Sequence, residues 1–500
     1  MTQSGTSWID ALSAWVNAAG EIVWGVPLVA AILATGVLLT LVLRLGHVFN
    51  LRRAFRYLLH SDEGAKGDIS AFGALCTALS ATIGTGNIVG VATAVCMGGP
   101  GAIFWMEVAA FFGMATKYAE GLLAVKYRTF TPDGRVLGGP FYYIERGMGR
   151  GWKWLAVLFA LFGTASGLLG IGTITQINGI TSATQRFFSP GFDAATAAYG
   201  VRILGTVQPP CVVIAGAAVT LCVALVVIGG IRRIAKVSMV VVPFMATFYV
   251  LFVALLLLGN LSKIPAAIEL IVKAAFNPAA FAGGATGSMI VALQTGVARG
   301  IFSNEAGLGS EPIAAATAKT CEPARQGLVS MVGVFVDTIV ICTMTGLAIV
   351  VTGAWDPSLG LVGVDVTIEA FSRGLAFLGP HAETISSFFL MSALSFFAFT
   401  TILGWNYYTE KCLEYLIGPG HRFAINAFRL LYVAVVFVGP YLTVSVVWGI
   451  ADIFNGLMAL PNLIALVALS PVVYRVSKDF FRGSSAPRQL EGDDDERRKL

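Results

Sequence analysis

The residues best suited to chemistry lie in apolar segments. The run Ser80-Ala81-Thr82-Ile83-Gly84-Thr85-Gly86-Asn87-Ile88-Val89-Gly90 sits inside a stretch of about residues 70–98, long enough to cross a bilayer. Its middle is poor material for an ordinary spanning helix. Gly84, Gly86 and Gly90 permit unusual backbone angles, and Thr82, Thr85 and Asn87 bring polar side chains to membrane depth. Non-helical backbone is tolerated there only where it is buried in protein or lines a cavity. A helix broken mid-membrane frees N–H groups on one half and C=O groups on the other. The first suit an anionic substrate group and the second a small cation. On this reading the backbone N–H groups of Thr85, Gly86 and Asn87 meet a substrate carboxylate. Small residues also suit a helix-packing face, and that alternative stands beside the first.

A second unusual segment spans about 285–318, with Gln294, Arg299, Ser303, Asn304, Glu305, Gly307, Gly309 and Pro312. A substrate ammonium needs acceptors. Gln176 is the first choice, with Asn178 and Asn304 as further candidates; an interhelical hydrogen bond is the plainer role for Gln176. Arg299 and Glu305 are read as an intramembrane pair, gate or counter-charge, with Asp337 in the same network. Trp405 is read as part of an aromatic belt at the membrane interface.

The elements that must position these residues are membrane spans. The 500 residues are 56% hydrophobic and 12% charged, with mean hydropathy +0.78, against roughly 25% charged in a soluble domain. Apolar stretches at about 23–43, 70–98, 101–125, 153–180, 211–230, 234–258, 285–318, 327–352, 384–409, 425–446 and 450–474 predict eleven crossings. Residues 7–20 predict an interfacial amphipathic helix. The net charge of +5 is collected in short loops and does not indicate nucleic-acid binding. Loops at 44–69, 126–153 and 231–236 and the tail after Arg475 are basic, and the loop at 353–383 is acidic. This alternation predicts the N-terminus outside and the C-terminus in the cytoplasm. No Lys or Arg precedes Arg44, so no cleavable signal peptide is expected. The seven cysteines show no paired metal spacing and are expected as free thiols.

With the first span counted as an extra, the segments 70–98 and 285–318 each open a set of five and enter from opposite sides. Broken segments at corresponding positions of inverted halves point to a transporter binding site. The division expected is 1–69 (interfacial helix, extra span, basic loop), 70–260 (first five-helix repeat), 261–478 (second, inverted repeat) and 479–500 (disordered cytoplasmic tail).

The run Thr82 to Ala92 resembles the signature of the alanine or glycine:cation symporter family, also called the sodium:alanine symporters. The likeness continues through Gly98-Gly99-Pro100-Gly101-Ala102, Gly113 to Glu120 and Gly138-Gly139-Pro140. It recurs in Ser303 to Ser310, Arg325-Gln326-Gly327, Asp337-Thr338, and Gly404-Trp405 through Tyr415. The resemblance implies an all-α, LeuT-like 5+5 inverted repeat with one added N-terminal helix. It also implies Na⁺-driven uptake of small neutral amino acids, chiefly alanine and glycine, at a prokaryotic plasma membrane. By the LeuT-like pattern, the Asn87 side-chain oxygen and the Thr82 carbonyl hold one Na⁺. A second cation site uses the carbonyls of Ser80 and Ile83 with hydroxyls of Thr400 and Thr401; back-bonding of these hydroxyls to their own helix is the plainer alternative. One departure is Glu107, where the family leads us to expect an aromatic. It is read either as a functional intramembrane charge or as a side chain reaching interfacial water.

No residue pattern reads as an enzyme. The four histidines lie in loops or at span ends, and no phosphate-binding loop or metalloprotease motif is present. The remaining alternatives are H⁺ coupling through Glu107 or Glu305, and a membrane amino-acid sensor.

Overall fold

Backbone in hydrocarbon must satisfy its N–H and C=O groups within its own segment, so the long apolar runs become helices. The computed structural model describes residues 6–59, 64–192, 199–204, 206–276, 289–442 and 444–482. Among them, nine helices are long and apolar enough to span a membrane, and one bent pair adds a tenth. Helices α1 (Thr6–Val23) and α2 (Val26–Leu43) follow one another across a short break, and Ala14–Leu43 runs as one apolar span. The bent pair is α3 (Ala71–Thr82) and α4 (Val89–Gly98), inclined by 62° across a short turn at Thr85–Asn87. The Ser70 side chain caps α3 by accepting the Gly73 N–H at 3.0 Å.

Then follow α5 (Gly101–Lys126), α6 (Pro140–Gly147), α7 (Lys153–Leu169), α8 (Ile174–Phe188), α9 (Pro210–Val227) and α10 (Gly230–Gly259). The second broken segment is α11 (Met289–Asn304), irregular backbone at 305–311, and α12 (Pro312–Ala315). At 16 residues α11 is short of the roughly 20 that span a bilayer. The eleventh crossing expected at 285–318 is therefore not a span by length and apolarity among the described residues. The chain continues with α13 (Pro323–Val334), a π-helical stretch (Phe335–Cys342), α14 (Thr343–Thr352), α15 (Val364–Gly374), α16 (Ala382–Ile417), α17 (Arg422–Val438), α18 (Val444–Ala468) and α19 (Ser470–Phe481). α5 is the central strut, packed against α2, α11 and α13.

Several expected boundaries move. The segment expected as one helix at 153–180 reaches Phe188 and is interrupted at 170–173, within a Gly-rich run. Gly439–Tyr441 forms a 3₁₀ turn that separates α17 from α18. α18 continues through Pro461. The tail expected from residue 479 begins inside α19; residues 483–500 lie outside those described. α1 packs against α18.

The basic loops meet at one end of the bundle. The Arg128 guanidinium donates to the carbonyls of Ala316 and Ala318 at 2.7 Å, Thr320 at 2.7 Å and Lys66 at 2.9 Å. A bridge between Ile69 and Ala318 runs beside it. One fork-shaped cation therefore ties the start of the first broken segment to the end of the second. The acidic loop lies at the other end, where Asp365 pairs with Arg186 at the C-terminal end of α8.

Candidate functional site

At the first break, α3 ends at Thr82 and Gly84 is extended. The Asn87 Oδ1 accepts the Gly84 N–H at 2.9 Å, and the Asn87 N–H is directed to the Gly84 carbonyl at 3.3 Å. Asn87 thus caps the break itself, and of the three N–H groups expected for a carboxylate, its own is engaged. Gly84 is glycine for lack of room: a Cβ there would sit 2.7 Å from Thr401 Oγ1. The Thr401 hydroxyl donates to the Ile83 carbonyl at 3.3 Å, and to Phe397 of its own helix at 3.0 Å. The neighbouring Thr400 is turned away. Its hydroxyl donates to the Phe397 carbonyl at 2.9 Å and faces Met245 of α10. The expected Thr400–Thr401 pair is therefore corrected to Thr401 alone at the break, since adjacent helical residues point about 100° apart. The Ser80 hydroxyl closes on Thr77 of its own helix at 2.7 Å, and that of Thr82 lies 3.4 Å from the carbonyls of Ala78 and Leu79.

A cavity of about 10 Å³ lies at the break, enough for about one water. Gln176 projects into it from α8. Its amide donates to the Ile171 carbonyl at 3.1 Å, while its Oε1 is buried with no hydrogen-bond partner among the described residues. Thr85 Oγ1, in the same wall, is also buried and unpartnered. Gly86 lines the cavity against Phe302 and Ser303. Two expectations fail here. Asn178 donates to Ile174 and Gly439 carbonyls, facing α17. Asn304 accepts from the Ala306 N–H at 2.9 Å and donates to Thr338 at 3.1 Å, so it closes the turn that follows α11 instead of lining the cavity.

Asp337 lies on the π-helical stretch, fully buried, where an extra residue per turn re-aims the side chain. Its Oδ1 accepts from Asn87 Nδ2 at 2.7 Å; its Oδ2 accepts from Ser303 at 2.8 Å and Thr338 at 2.9 Å. One carboxylate thus joins both broken segments. Ser303 and Thr338 were not singled out as ligands from the sequence, although both fall in runs that carry the family resemblance and each sits next to an intramembrane amide or acid. Glu107 faces this cluster from α5, beside Thr343, with Oε1 buried and unpartnered. That oxygen does not reach interfacial water.

Arg299 and Glu305 do not pair. Glu305 adopts a left-handed backbone (φ 57°), takes a hydrogen bond from the Ser310 hydroxyl, and accepts the Trp405 indole N–H at 2.9 Å. Trp405 is 1% exposed and lines the cavity, which corrects its placement in an interfacial belt. Arg299 lies one turn before Phe302, its guanidinium 5.8 Å from that ring.

On the basic side of the cavity the bundle is filled by buried charge that sequence reasoning missed. Lys117 Nζ lies 2.6 Å from Glu311 Oε2. Glu120 Oε1 accepts from Asn462 Nδ2 at 2.6 Å and from the Gly307 N–H at 3.2 Å. Asn462 also donates to the Gly307 carbonyl at 2.9 Å and accepts from the Tyr143 hydroxyl. Gly309 (φ 81°) permits this approach, since a Cβ would meet Asn462 at 2.8 Å. Lys117 and Glu120, three apart in an apolar helix, were the readable signal. On the opposite side a cavity of about 640 Å³ descends to Phe302, whose ring also walls the small cavity.

Two broken helices enclosing a polar midplane site define a transporter architecture, and comparison with solved structures agrees. The chain is similar to MhsT, solved in complex with L-phenylalanine, with a TM-score of 0.54 at 13% identity, covering 83% of this chain and 99% of that one. The fold is LeuT-like, a 5+5 inverted repeat with an added N-terminal helix, and the protein is a multi-pass membrane transporter, not an enzyme. It belongs to the sodium:alanine symporter family, whose model matches residues 9–493. Among relatives, the sodium/alanine symporter AgcS of Methanococcus maripaludis is 46% identical over 93% of this chain and 96% of its own length. A Haemophilus influenzae protein known only as an uncharacterized transporter is 51% identical, again over 93% and 96%.

Proposed function

We propose that this protein carries small neutral amino acids, with alanine and glycine as the leading substrates, together with Na⁺ by alternating access. The observation that carries the substrate reading is the pair of buried, unpartnered oxygens, Gln176 Oε1 and Thr85 Oγ1, on the wall of the cavity at the break. An unsatisfied buried acceptor costs about 1–3 kcal/mol, which an ammonium donor would recover. The N–H groups of Thr85 and Gly86 begin the following turn and suit the carboxylate. The cavity must widen to admit even alanine, and Phe302 and Trp405 are the large side chains able to move. A small site enclosed by such walls favours a small side chain.

Two oxygen-rich positions support coupling to a hard cation such as Na⁺. One is Asp337 with the hydroxyl oxygens of Ser303 and Thr338; Asn87 faces it with its amide N–H, its own oxygen being taken by the Gly84 N–H. The other is the Ile83 carbonyl with Thr401, to which we add the carbonyls of Ser80 and Thr82. We infer a cytoplasmic location for the basic end, an N-terminus outside, a prokaryotic plasma membrane, and five-helix units at 70–260 and 261–478. In this arrangement the Lys117–Glu311 and Glu120–Asn462 contacts close the cytoplasmic path. The substrate reading is tested by equilibrium binding of labelled alanine to Gln176→Leu. Binding at least about tenfold weaker than the parent supports the reading, a loss of about 1.4 kcal/mol. Equal binding contradicts it.

A further inference from the structure

A short helix, Leu51–Leu59, follows the first span at the basic end of the bundle. Its Phe55 ring lies 6.0 Å from that of Phe335, which opens the π-helical stretch. Phe335 stands twelve residues past Pro323, the start of α13, which is about 18 Å along a helix axis. The short helix therefore lies along the flank of that span and not beyond its end, so its outer face meets the bilayer. Ala54 is buried, and Leu51, Tyr57 and Leu58 are half-buried against the bundle. The outer face is divided. At about 100° per residue, Phe55 and Leu59 share one side of it and Arg52, Arg53 and Arg56 the other. Leu59 is 81% exposed and Phe55 39%. Arg52 and Arg53 are exposed and form no hydrogen bond or ion pair among the described residues. Across the Tyr57–Phe480 ring contact lies α19, where Arg475 and, just past its end, Arg482 are exposed beside one exposed acid, Asp479.

We propose that this face binds an anionic phospholipid. The lipid phosphate sits on the guanidiniums of Arg52 and Arg53, and the acyl chains run over Phe55 and Leu59. A helix that is apolar on one side and cationic on the other fits the level of a bilayer where hydrocarbon and phosphate lie next to each other. Guanidinium suits phosphate because its planar fork donates to two oxygens at once. Basic residues beside a span attract anionic lipid in preference to neutral lipid. A zwitterionic lipid brings the same phosphate but carries its own cation, which gains nothing beside Arg475 and Arg482. Lipid held here bears on the span that carries Asp337, since Phe335 stands two residues before it. The surface does not depend on which solute or ion the protein carries.

The test uses the full-length protein with Leu59→Cys carrying a bimane fluorophore, reconstituted in bilayers of phosphatidylglycerol and phosphatidylcholine. One lipid of the two is brominated in turn, and quenching reports which lies beside residue 59. Labelling of the native cysteines is subtracted with the protein lacking the reporter. Phosphatidylglycerol should be favoured about threefold or more at this position. The same reporter at Leu221→Cys, 61% exposed on α9, should show no preference. Arg52→Gln with Arg53→Gln should bring the ratio at residue 59 to about one; the single variants serve if the double variant fails to fold. Arg422→Gln, which removes an exposed cation at the start of α17, should leave the ratio unchanged. A ratio near one in the parent, or one that survives the loss of both arginines, overturns the proposal. So does an equal fall in Arg422→Gln, which would make the preference a matter of net charge. Inorganic phosphate at matched ionic strength should not displace the lipid; if it does, the face is a small-anion site and the lipid proposal falls.

Discussion

The hydroxyl of Thr401 lies 3.3 Å from the carbonyl oxygen of Ile83, two residues 318 apart in sequence. That contact joins the end of α3 to the middle of α16 at the level of the break. Rocking one repeat against the other would part it, so a cation held between these oxygens would favour one arrangement over the other. Thr401→Val should raise the Na⁺ concentration for half-maximal alanine binding about ten- to hundredfold, the equivalent of about 1–3 kcal/mol. Thr400→Val, facing Met245, should leave the curve in place. Alanine binding titrated with Na⁺ checks both.

Gly84→Ala should act through the same oxygen. Its added Cβ falls 2.7 Å from Thr401 Oγ1, so the threonine must yield. Expected is a shift in Na⁺ dependence in the same direction as for Thr401→Val, and a double variant whose effects are not additive, because the residues share one contact. Additive shifts would separate Gly84 from the cation.

Asp337→Asn replaces a carboxylate oxygen with a donor that opposes Asn87 Nδ2 or the hydroxyls of Ser303 and Thr338. Na⁺ affinity should fall at least about tenfold, and thermal stability should drop by about 1–3 kcal/mol from the mismatched buried groups. Ser303→Ala should weaken Na⁺ affinity less. Na⁺-dependent thermal shift of the purified variants reads both quantities.

Lys117→Met leaves Glu311 buried without its cation, and breaking a buried pair this way costs about 3–5 kcal/mol. Asn462→Ala should cost less and act on access, since Asn462 spans α5, α6 and the irregular segment. A cysteine placed at Gly307 should become reactive from the cytoplasmic side in Asn462→Ala and stay protected in the parent. Equal protection would remove Asn462 from the closure of that path.

Much of this was legible in the sequence, for identifiable reasons. Hydropathy locates spans because a bilayer imposes length and apolarity, and Gly84 with Gly86 marked the first break by composition. Gln176 stood out as a strong polar group near mid-span. Direction was not legible. Thr400 and Thr401 look equivalent in a string, and only helical phase decides which faces Ile83. Asn304 looked like a ligand and instead closes the turn after α11, because short amides readily bond nearby backbone. Asp337 was read as a gate because its partners, Asn87 and Ser303, are 250 and 34 residues away. Lys117 and Glu311 likewise pair across 194 positions, which no local pattern reveals.

The most direct measurement is alanine uptake into proteoliposomes under an imposed inward gradient of Na⁺, Li⁺ or H⁺ in turn, at fixed membrane potential. The account predicts concentrative uptake with Na⁺, abolished by Gly86→Val and shifted to higher Na⁺ by Thr401→Val. Uptake driven equally well by H⁺ in the absence of Na⁺, or unchanged in both variants, would contradict it.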